Sequence, residues 1–534
     1  MPITKVERTS DAAKAPVRFG FLPVLALACA MLLLHLLTGG RYGFYRDELQ
    51  FLSDARHLDW GFVAYPPITP FLARISISIF GISLSGLHLF PALVQTAVLF
   101  MTALMAKELG GGRIAQVASA LTVALSAYPL EESTTFSYSS FDYLWWVLAA
   151  YFTVQLLRSE NARWWLAIGA IEGLGLLTKY TIAYLIAGIL CGVIFTRARR
   201  YLGSGWFWGG QALALLICAP NIVWQFQHDF ISYSFLQFIH TRDINYGLTD
   251  GFLTDQLTYC VNLFALPVWM AGMIGYLRNW RYRMITWMYL VPLVLFIATR
   301  GRFYYLAPAY PMLLAMGAVM GERWIGSPAK EPASSIRIRR SGQAAARSNR
   351  QRGWSGRHWV CAVLFAGLVL LGAGFCYFLF PAFESNGPLR NFVLERNEPL
   401  REEFGWDELV RTVAGIRDSL PPDQRIHLGI IVGNYGEEGA IEILGSAYHL
   451  PQPISTINSG GLRGYPISPP TTLIVVGFSK DMAFALFNNC KLAGHNINSE
   501  RIRNRESEHY PDIFLCGSPR QPWPEFWKDS PHFE

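Results

Sequence analysis

Apolar stretches recur along this chain from about residue 20 to residue 380, and a helix of about 20 such residues crosses a bilayer core about 30 Å thick. About eleven spans are read in this way, over approximately 20–39, 86–106, 112–129, 138–157, 164–178, 180–196, 206–224, 252–277, 284–299, 303–320 and 358–380. The pattern changes in two places. Between the first two spans, Phe51, Leu52, Ala55 and Leu58 share one helical face while Asp54, Arg56 and Asp59 fall elsewhere, which predicts a short helix lying in the interface. Pro66, Pro67 and Pro70 end it, and Phe71 to Phe80 predicts a second interfacial helix. After Pro381 the apolar runs shorten: Ile426–Val432 and Thr472–Val476 read as strands, and Glu437–Leu444 and Lys480–Phe487 as helices following them. That alternation predicts a soluble α/β domain of about 150 residues. No internal repeat is evident.

Composition agrees with a polytopic membrane protein. Of 534 residues, 52% are hydrophobic and 16% charged, against roughly 25% charged in soluble domains. The net charge of +7 lies mainly in short clusters between apolar runs, a topological pattern that makes nucleic acid an unneeded partner. Lys5, Arg8, Lys14 and Arg18 keep the N-terminus cytoplasmic, and the basic loops 107–113, 158–163, 197–200, 278–283 and 323–357 then fall on the same side. The run Phe21–Leu37 is too long for a signal peptide and lacks a cleavage site, so the first helix is expected to be retained. The chain divides into a cytoplasmic tail (1–19), a transmembrane region (20–325), a basic linker (326–357), a last span (358–380) and an extracytoplasmic domain (381–534). Ser, Arg and Ala dominate the linker, which reads as disordered and suited to anionic lipid. Six cysteines lie in or beside apolar runs, where packing explains them; Cys490 and Cys516 lie in the C-terminal domain and are able to pair if it is extracytoplasmic.

This topology collects the unusual polar residues on the outer face. Asp47 and Glu48 open the first interfacial helix, where free N–H groups and the helix dipole favour ionised carboxylates. They read either as helix caps or as acids able to accept a proton from a substrate hydroxyl. Arg46 precedes them. Lys179 sits with Tyr180 in a tight turn between two apolar runs, where it either snorkels or meets a bound anion. Thr299 to Pro308 brings Arg302, Tyr304 and Tyr305 to the same surface, and an arginine fork with a lysine suits a phosphate. The tyrosines also read as an aromatic belt. Glu131 and Glu132 in the second outer loop are candidates to orient an acceptor, although a solvated pair is the simpler reading. His228, Asp229, His240 and Asp243 match no tight ligand spacing, so no metal is assigned and no cofactor is implied. Gly110-Gly111-Gly112 lacks the lysine and hydroxyl of a nucleotide loop.

The pattern Tyr45-Arg46-Asp47-Glu48-Leu49, with Trp60-Gly61 and Tyr65 to Pro70, resembles the first outer loop of bacterial glycosyltransferase family 39, relatives of the protein O-mannosyltransferases and of the lipid A aminoarabinose transferases. Gly175 to Tyr180 and Gly301 to Pro311 extend the likeness over roughly residues 40 to 320. The resemblance implies a GT-C fold and a sugar donor carried on polyprenyl phosphate. It also implies a catalytic acid that falls on Asp47, with Glu48 as the alternative. Lys179 and Arg302, with Tyr304 and Tyr305, are then expected at the donor phosphate, with inversion at the sugar and an unknown envelope acceptor: lipid, glycan or protein. A bacterial inner-membrane location follows. Gly433-Asn434-Tyr435-Gly436-Glu437 resembles the C-terminal domains of only some of these proteins. A transporter or flippase of a lipid-linked substrate is the alternative, and would place its ionisable residues near mid-membrane.

Overall fold

The computed structural model describes residues 18–326, 356–380 and 388–534. Lys5, Arg8, Lys14 and nearly all of the expected linker at 326–357 lie outside these residues. The described chain begins with eleven helices: α1 (Phe21–Thr38), α2 (Arg46–Arg56), α3 (Ile68–Phe80), α4 (Leu84–Glu108), α5 (Arg113–Ala124), α6 (Ala127–Glu132), α7 (Tyr138–Ser159), α8 (Trp164–Leu176), α9 (Ile182–Phe195), α10 (Gly205–Gln227) and α11 (Ile231–Asn245). Further long helices follow at Leu266–Arg278, Arg283–Ala298, Tyr310–Gly326 and Gly356–Leu379.

Each expected apolar run is helical, but the helices differ in reach. Five described segments are long and apolar enough to cross a membrane: α1, α4, α10, Phe303–Gly326 and Gly356–Leu379. Two bent pairs raise this to as many as seven, while α5, α8 and Arg283–Ala298 are shorter apolar helices. The run at 252–277 is not the single span expected from hydropathy: it turns by 94° between Cys260 and Leu263. Buried Asn262 sits at the break, capping Phe264 N–H at 3.1 Å and donating to the carbonyls of Leu125 (2.8 Å) and Leu368 (3.1 Å). Its oxygen satisfies the Phe264 N–H, which a continuous helix would have paired internally, and its amide ties the break to two neighbouring helices. Neighbouring helices close on one another at small residues: Gly169 of α8 faces the Gly210 carbonyl of α10, and Gly272 faces the Leu313 carbonyl.

The two ends of the bundle differ in chemistry. At one end Glu160 pairs with Arg200 and Arg281 at 3.4 and 3.3 Å, Arg158 pairs with Glu108, and Glu322 accepts from Gly112 N–H at 2.5 Å. The basic loops meet there. At the other end lie α2, α3, α6, Lys179, α11 and Arg302, together with the C-terminal domain.

That domain carries a five-stranded sheet in the order β2 (Pro453–Ser455), β1 (Leu428–Val432), β3 (Thr472–Val476), β5 (Asp512–Gly517), β4 (Lys491–His495). The first three strands are parallel, with Ile430 opposite Ile474, and β5 and β4 are antiparallel. Both expected strands and both expected helices form, the latter as Tyr435–Ile443 and Lys480–Leu486. β1 and β3 are nearly continuous apolar runs because helices cover them, whereas edge strand β4 is polar and largely exposed.

Both helices expected in the first outer loop form, as α2 and α3, but the polar face of α2 does not meet water. The polar face of α2, with Asp54 only 1% exposed, packs on the Tyr435–Ile443 helix instead of water. Arg463 joins Asp54, Glu438 (2.8 Å) and Glu442 (3.6 Å), while Tyr65 donates to Asp54 at 2.5 Å. Ser53 and His57 reach Glu442 at 2.5 and 2.9 Å, and the Arg56 guanidinium donates to the Glu442 carbonyl at 2.9 Å. Interhelical approach is close enough that a methyl group at Gly439 would lie 2.5 Å from the Leu49 carbonyl.

Cys490 and Cys516 form a disulfide that ties the start of β4 to β5 across 26 residues. A loop of this length contributes about 3 kcal/mol in the chain-entropy account. Peptide mapping of the full chain without reductant is expected to recover the two cysteines as one linked peptide, and Cys490→Ser should lower stability by about that amount; quantitative alkylation of both thiols in the native protein would contradict the pairing.

Candidate active site

The site is built from the turn that starts α2. Tyr45 is extended and caps the helix, and its N–H donates to Glu48 Oε2 at 3.0 Å. The other oxygen, Glu48 Oε1, accepts from Phe136 N–H at 2.7 Å and meets His88 Nε2 at 2.8 Å. Glu48 is 0% exposed, and both its oxygens are spent tying α2 to α4 and to the segment before α7. The acid expected as the alternative base is thus engaged through both oxygens by groups of the protein.

Asp47, its neighbour in sequence, points the other way. Its Oδ1 accepts from the Tyr435 hydroxyl at 2.8 Å. Burial pushes the Asp47 carboxyl above its ordinary range, opposed by the Tyr435 hydrogen bond and by the charges of Arg46 and Arg302. Arg46 belongs to the interdomain contact: it pairs with Glu506 at 2.9 Å and Glu534 at 2.5 Å and stacks on the Tyr435 ring at 4.3 Å.

Lys179 occupies the turn between α8 and α9 and is 8% exposed. Its ammonium donates to Ser139 Oγ at 2.7 Å and lies over three tyrosine rings: Tyr305 at 4.6 Å, and Tyr138 and Tyr304 at 5.1 Å each. Burial pulls the ammonium below its ordinary value, while Asp142 and Glu132 favour its charge. Ser139 is the one hydrogen-bond acceptor of Lys179 among the described residues, so the cation keeps donor capacity inside a mostly aromatic enclosure. The sequence already placed Tyr304 and Tyr305 beside Lys179; Tyr138 and Asp142, on α7, carried no motif that would have singled them out.

Arg302 follows the break after Arg283–Ala298. Its Nε and Nη2 both bond Asp243 of α11 at 2.6 Å, a two-point clamp that fixes the plane of the guanidinium. Asp243 therefore has a partner other than a metal; His228, another of the residues weighed as a ligand, stacks on Trp224 at 4.0 Å. Among the described residues no group of three or more His, Cys, Asp or Glu is arranged to hold a metal ion.

Glu131 and Glu132 are not the solvated loop pair expected. They end the short helix α6, where Glu131 accepts from the Tyr259 hydroxyl at 2.6 Å and Glu132 from Ser140 Oγ at 3.0 Å. Burial pushes the Glu131 carboxyl up to about 7, and Glu132 is raised too, against the opposing charge of Lys179. Glu132 also feels Asp47, and Asp47 and Lys179 both feel Arg302. Residues from α2, α6, the α8–α9 turn and the segment before Phe303 thus share one electrostatic neighbourhood. A separate cleft of about 1040 Å³ lies between the two parts of the molecule, with Arg41, Phe44, Arg390 and Asp407 among its walls and none of these site residues lining it.

Comparison with known proteins agrees with this architecture. Residues 64–224 match the family model described as dolichyl-phosphate-mannose-protein mannosyltransferase. Lipid A galacturonosyltransferase RgtD of Rhizobium johnstonii is 25% identical over 267 residues, covering 48% of this chain and 55% of that protein, so the chain spans about half the length of this relative. Among solved structures, ArnT from Cupriavidus metallidurans in the apo state superposes with a TM-score of 0.58 at 13% identity, covering 92% of this chain and 97% of that one. The same protein bound to undecaprenyl phosphate gives 0.55 at 14% identity, with the same coverage. The likeness to ArnT over nearly the whole chain shows a shared GT-C fold, with the family model matching the part of it at residues 64–224.

Proposed function

We propose that this protein is an integral membrane glycosyltransferase that moves a sugar from a polyprenyl-phosphate donor to an envelope acceptor on the outer face of the bacterial inner membrane. The carrying observation is the gathering of Asp47, Lys179 and Arg302, more than a hundred residues apart in sequence, at the end of the bundle opposite the basic loops. On the positive-inside rule that end is extracytoplasmic, with the N-terminus cytoplasmic and the eleven-span reading giving the crossings. The disulfide of the C-terminal domain fits an oxidising compartment.

Each residue then has a task. Asp47 takes the acceptor hydroxyl proton as that oxygen attacks the anomeric carbon from the face opposite the phosphate. The bond from that carbon to the phosphate oxygen breaks, its electrons leave with the polyprenyl phosphate, and the sugar inverts. Lys179 and Arg302 stabilise the charge gained by the leaving phosphate more than the donor's charge before reaction. Asp243 holds the Arg302 fork in plane, and Tyr304 and Tyr305 wall the ammonium from water, which would otherwise compete as acceptor. The relative named as a lipid A galacturonosyltransferase favours a uronic acid moved onto a lipid.

A transporter reading is less well supported, because the charged groups of the site cluster at one end of the bundle. Glu172 of α8 is the buried exception, and it bonds Gln211 of α10 at 3.0 Å. A pair held between two helices in this way is accounted for by packing.

Mass spectrometry of envelope lipids and glycans from cells lacking the protein, complemented with wild type, is expected to reveal one sugar increment restored by the gene. Asp47→Asn should abolish it, since a positioned base contributes roughly 10²–10⁴-fold; full restoration by Asp47→Asn would remove Asp47 from the chemistry. Wild-type turnover should fall as pH drops through the raised Asp47 value, because only the ionised carboxylate accepts a proton. By contrast, Glu48→Gln should act mainly on folding. It leaves a buried cap and a histidine contact poorly satisfied at a cost of about 1–3 kcal/mol, read as a lower melting temperature, and it removes a charge that raises the Asp47 carboxyl, so the acid limb of the surviving enzyme should move to lower pH.

A further inference from the structure

The segment Gly433-Asn434-Tyr435-Gly436-Glu437 lies about 390 residues from Asp47 in sequence, in a domain for which the proposed chemistry has no use. The structure gives each of its residues a place. Gly433 backs directly onto the Gly477 backbone at the end of β3. Asn434 is the N-cap, accepting from Glu437 N–H at 2.9 Å. Gly436 leaves space that a side chain would take from Arg46 and Trp406, at 2.7 and 2.9 Å. Gly439, one turn on, seats the helix on the backbone of Leu49. Tyr435 lies against the first turn of α2, and its hydroxyl ends on Asp47 Oδ1.

We infer that Tyr435 is a positioning residue for the transfer reaction, so that the C-terminal domain completes the catalytic site by orienting Asp47 instead of serving only to handle the acceptor. This rests on the reading of Asp47 as the base. Geometry restricts the alternatives. The Tyr435 ring is pinned on its face by Arg46, which is itself held by Glu506 and Glu534 of the same domain. A hydroxyl carried on a fixed ring leaves Asp47 one preferred rotamer, with Oδ1 engaged and Oδ2 free to face a substrate; no hydrogen bond to Oδ2 occurs among the described residues. The contact also favours the ionised carboxylate, opposing burial. The charged groups around Asp47 are Arg46 and Glu48 on its own helix, Arg302 before Phe303, and Glu132 on α6. Tyr45, Tyr65 and Tyr138 complete the titratable surroundings. None of these replaces the hydrogen bond to Oδ1.

The test is Tyr435→Phe, which keeps the ring and its stacking on Arg46 and removes one hydroxyl. Product is read as the sugar increment formed per unit of folded protein in cells pulsed in media from pH 5.5 to 8, so that the outer face takes the pH of the medium. Expected is a loss of about tenfold near neutrality, with the acid limb of the profile moved upward by about one pH unit and the melting temperature close to wild type. In an Asp47→Asn background the same change should have no further effect. Should Tyr435→Phe fail to accumulate, 4-aminophenylalanine and 4-methylphenylalanine at position 435 fill the same space and differ in the donor; the amino form should retain activity and the methyl form lose it. A wild-type rate and an unmoved acid limb for Tyr435→Phe, or equal activity of the amino and methyl forms, overturns the inference while leaving Asp47 as base. Full activity of Asp47→Asn overturns both.

Discussion

The close seating of the Tyr435–Ile443 helix on α2 is the contact on which the rest of this molecule depends. Two glycines remove the side chains that would hold the helices apart; Glu442 then meets Ser53 and His57 across the seam, and Arg463, paired with Glu438 and Glu442 on its own side, crosses to Asp54. Buried ion pairs of this kind contribute little net stability, since desolvation offsets most of the attraction. Breaking one partner alone is costly, however, so the seam fixes register more than it adds stability. Register matters here because α2 carries Asp47 at its first turn. A shift of one residue would trade Asp47 for Glu48 and exchange a carboxylate facing the site for one tied to His88 and Phe136.

A second constraint acts from the membrane side. Lys179 and Arg302 are cations in places where water is scarce, and each is managed differently. Asp243 neutralises Arg302 with a two-point clamp, whereas Lys179 is surrounded by tyrosine faces that attract it, with Asp142 and Glu132 favouring its charge. The arrangement suits a reaction in which negative charge appears on a phosphate only as a bond breaks.

Much of this was legible in the sequence, for reasons that differ by element. Apolar runs marked the helices because a hydrocarbon environment leaves few other choices, and the central strands β1 and β3 were visible as short β-branched runs. Edge strand β4 was not, because Lys491 to His495 has no apolar pattern to read. The bend at Asn262 was hidden inside a run that hydropathy alone reads as continuous. Asp47, Lys179 and Arg302 could be grouped because topology assigns them one face. The polar face of α2 shows the limit of the pattern: Asp54 and Arg56 fall off its apolar stripe, but their partners belong to a domain some 400 residues away. Likewise Glu131 and Glu132 gave no sign of burial, since the hydroxyls that satisfy them, Tyr259 and Ser140, come from separate elements. Partners set by tertiary structure leave no local periodicity. The glycines of the 433–439 segment were visible as a motif, but their meaning depends on the backbone that lies against them.

The most direct measurement is a cryo-electron microscopy structure of the full chain with undecaprenyl phosphate bound. The account predicts a phosphate within hydrogen-bond distance of Lys179 and Arg302, with Asp47 still held by Tyr435 and facing the same space. A phosphate seated instead among Arg158, Arg200 and Arg281 at the opposite end of the bundle would contradict it.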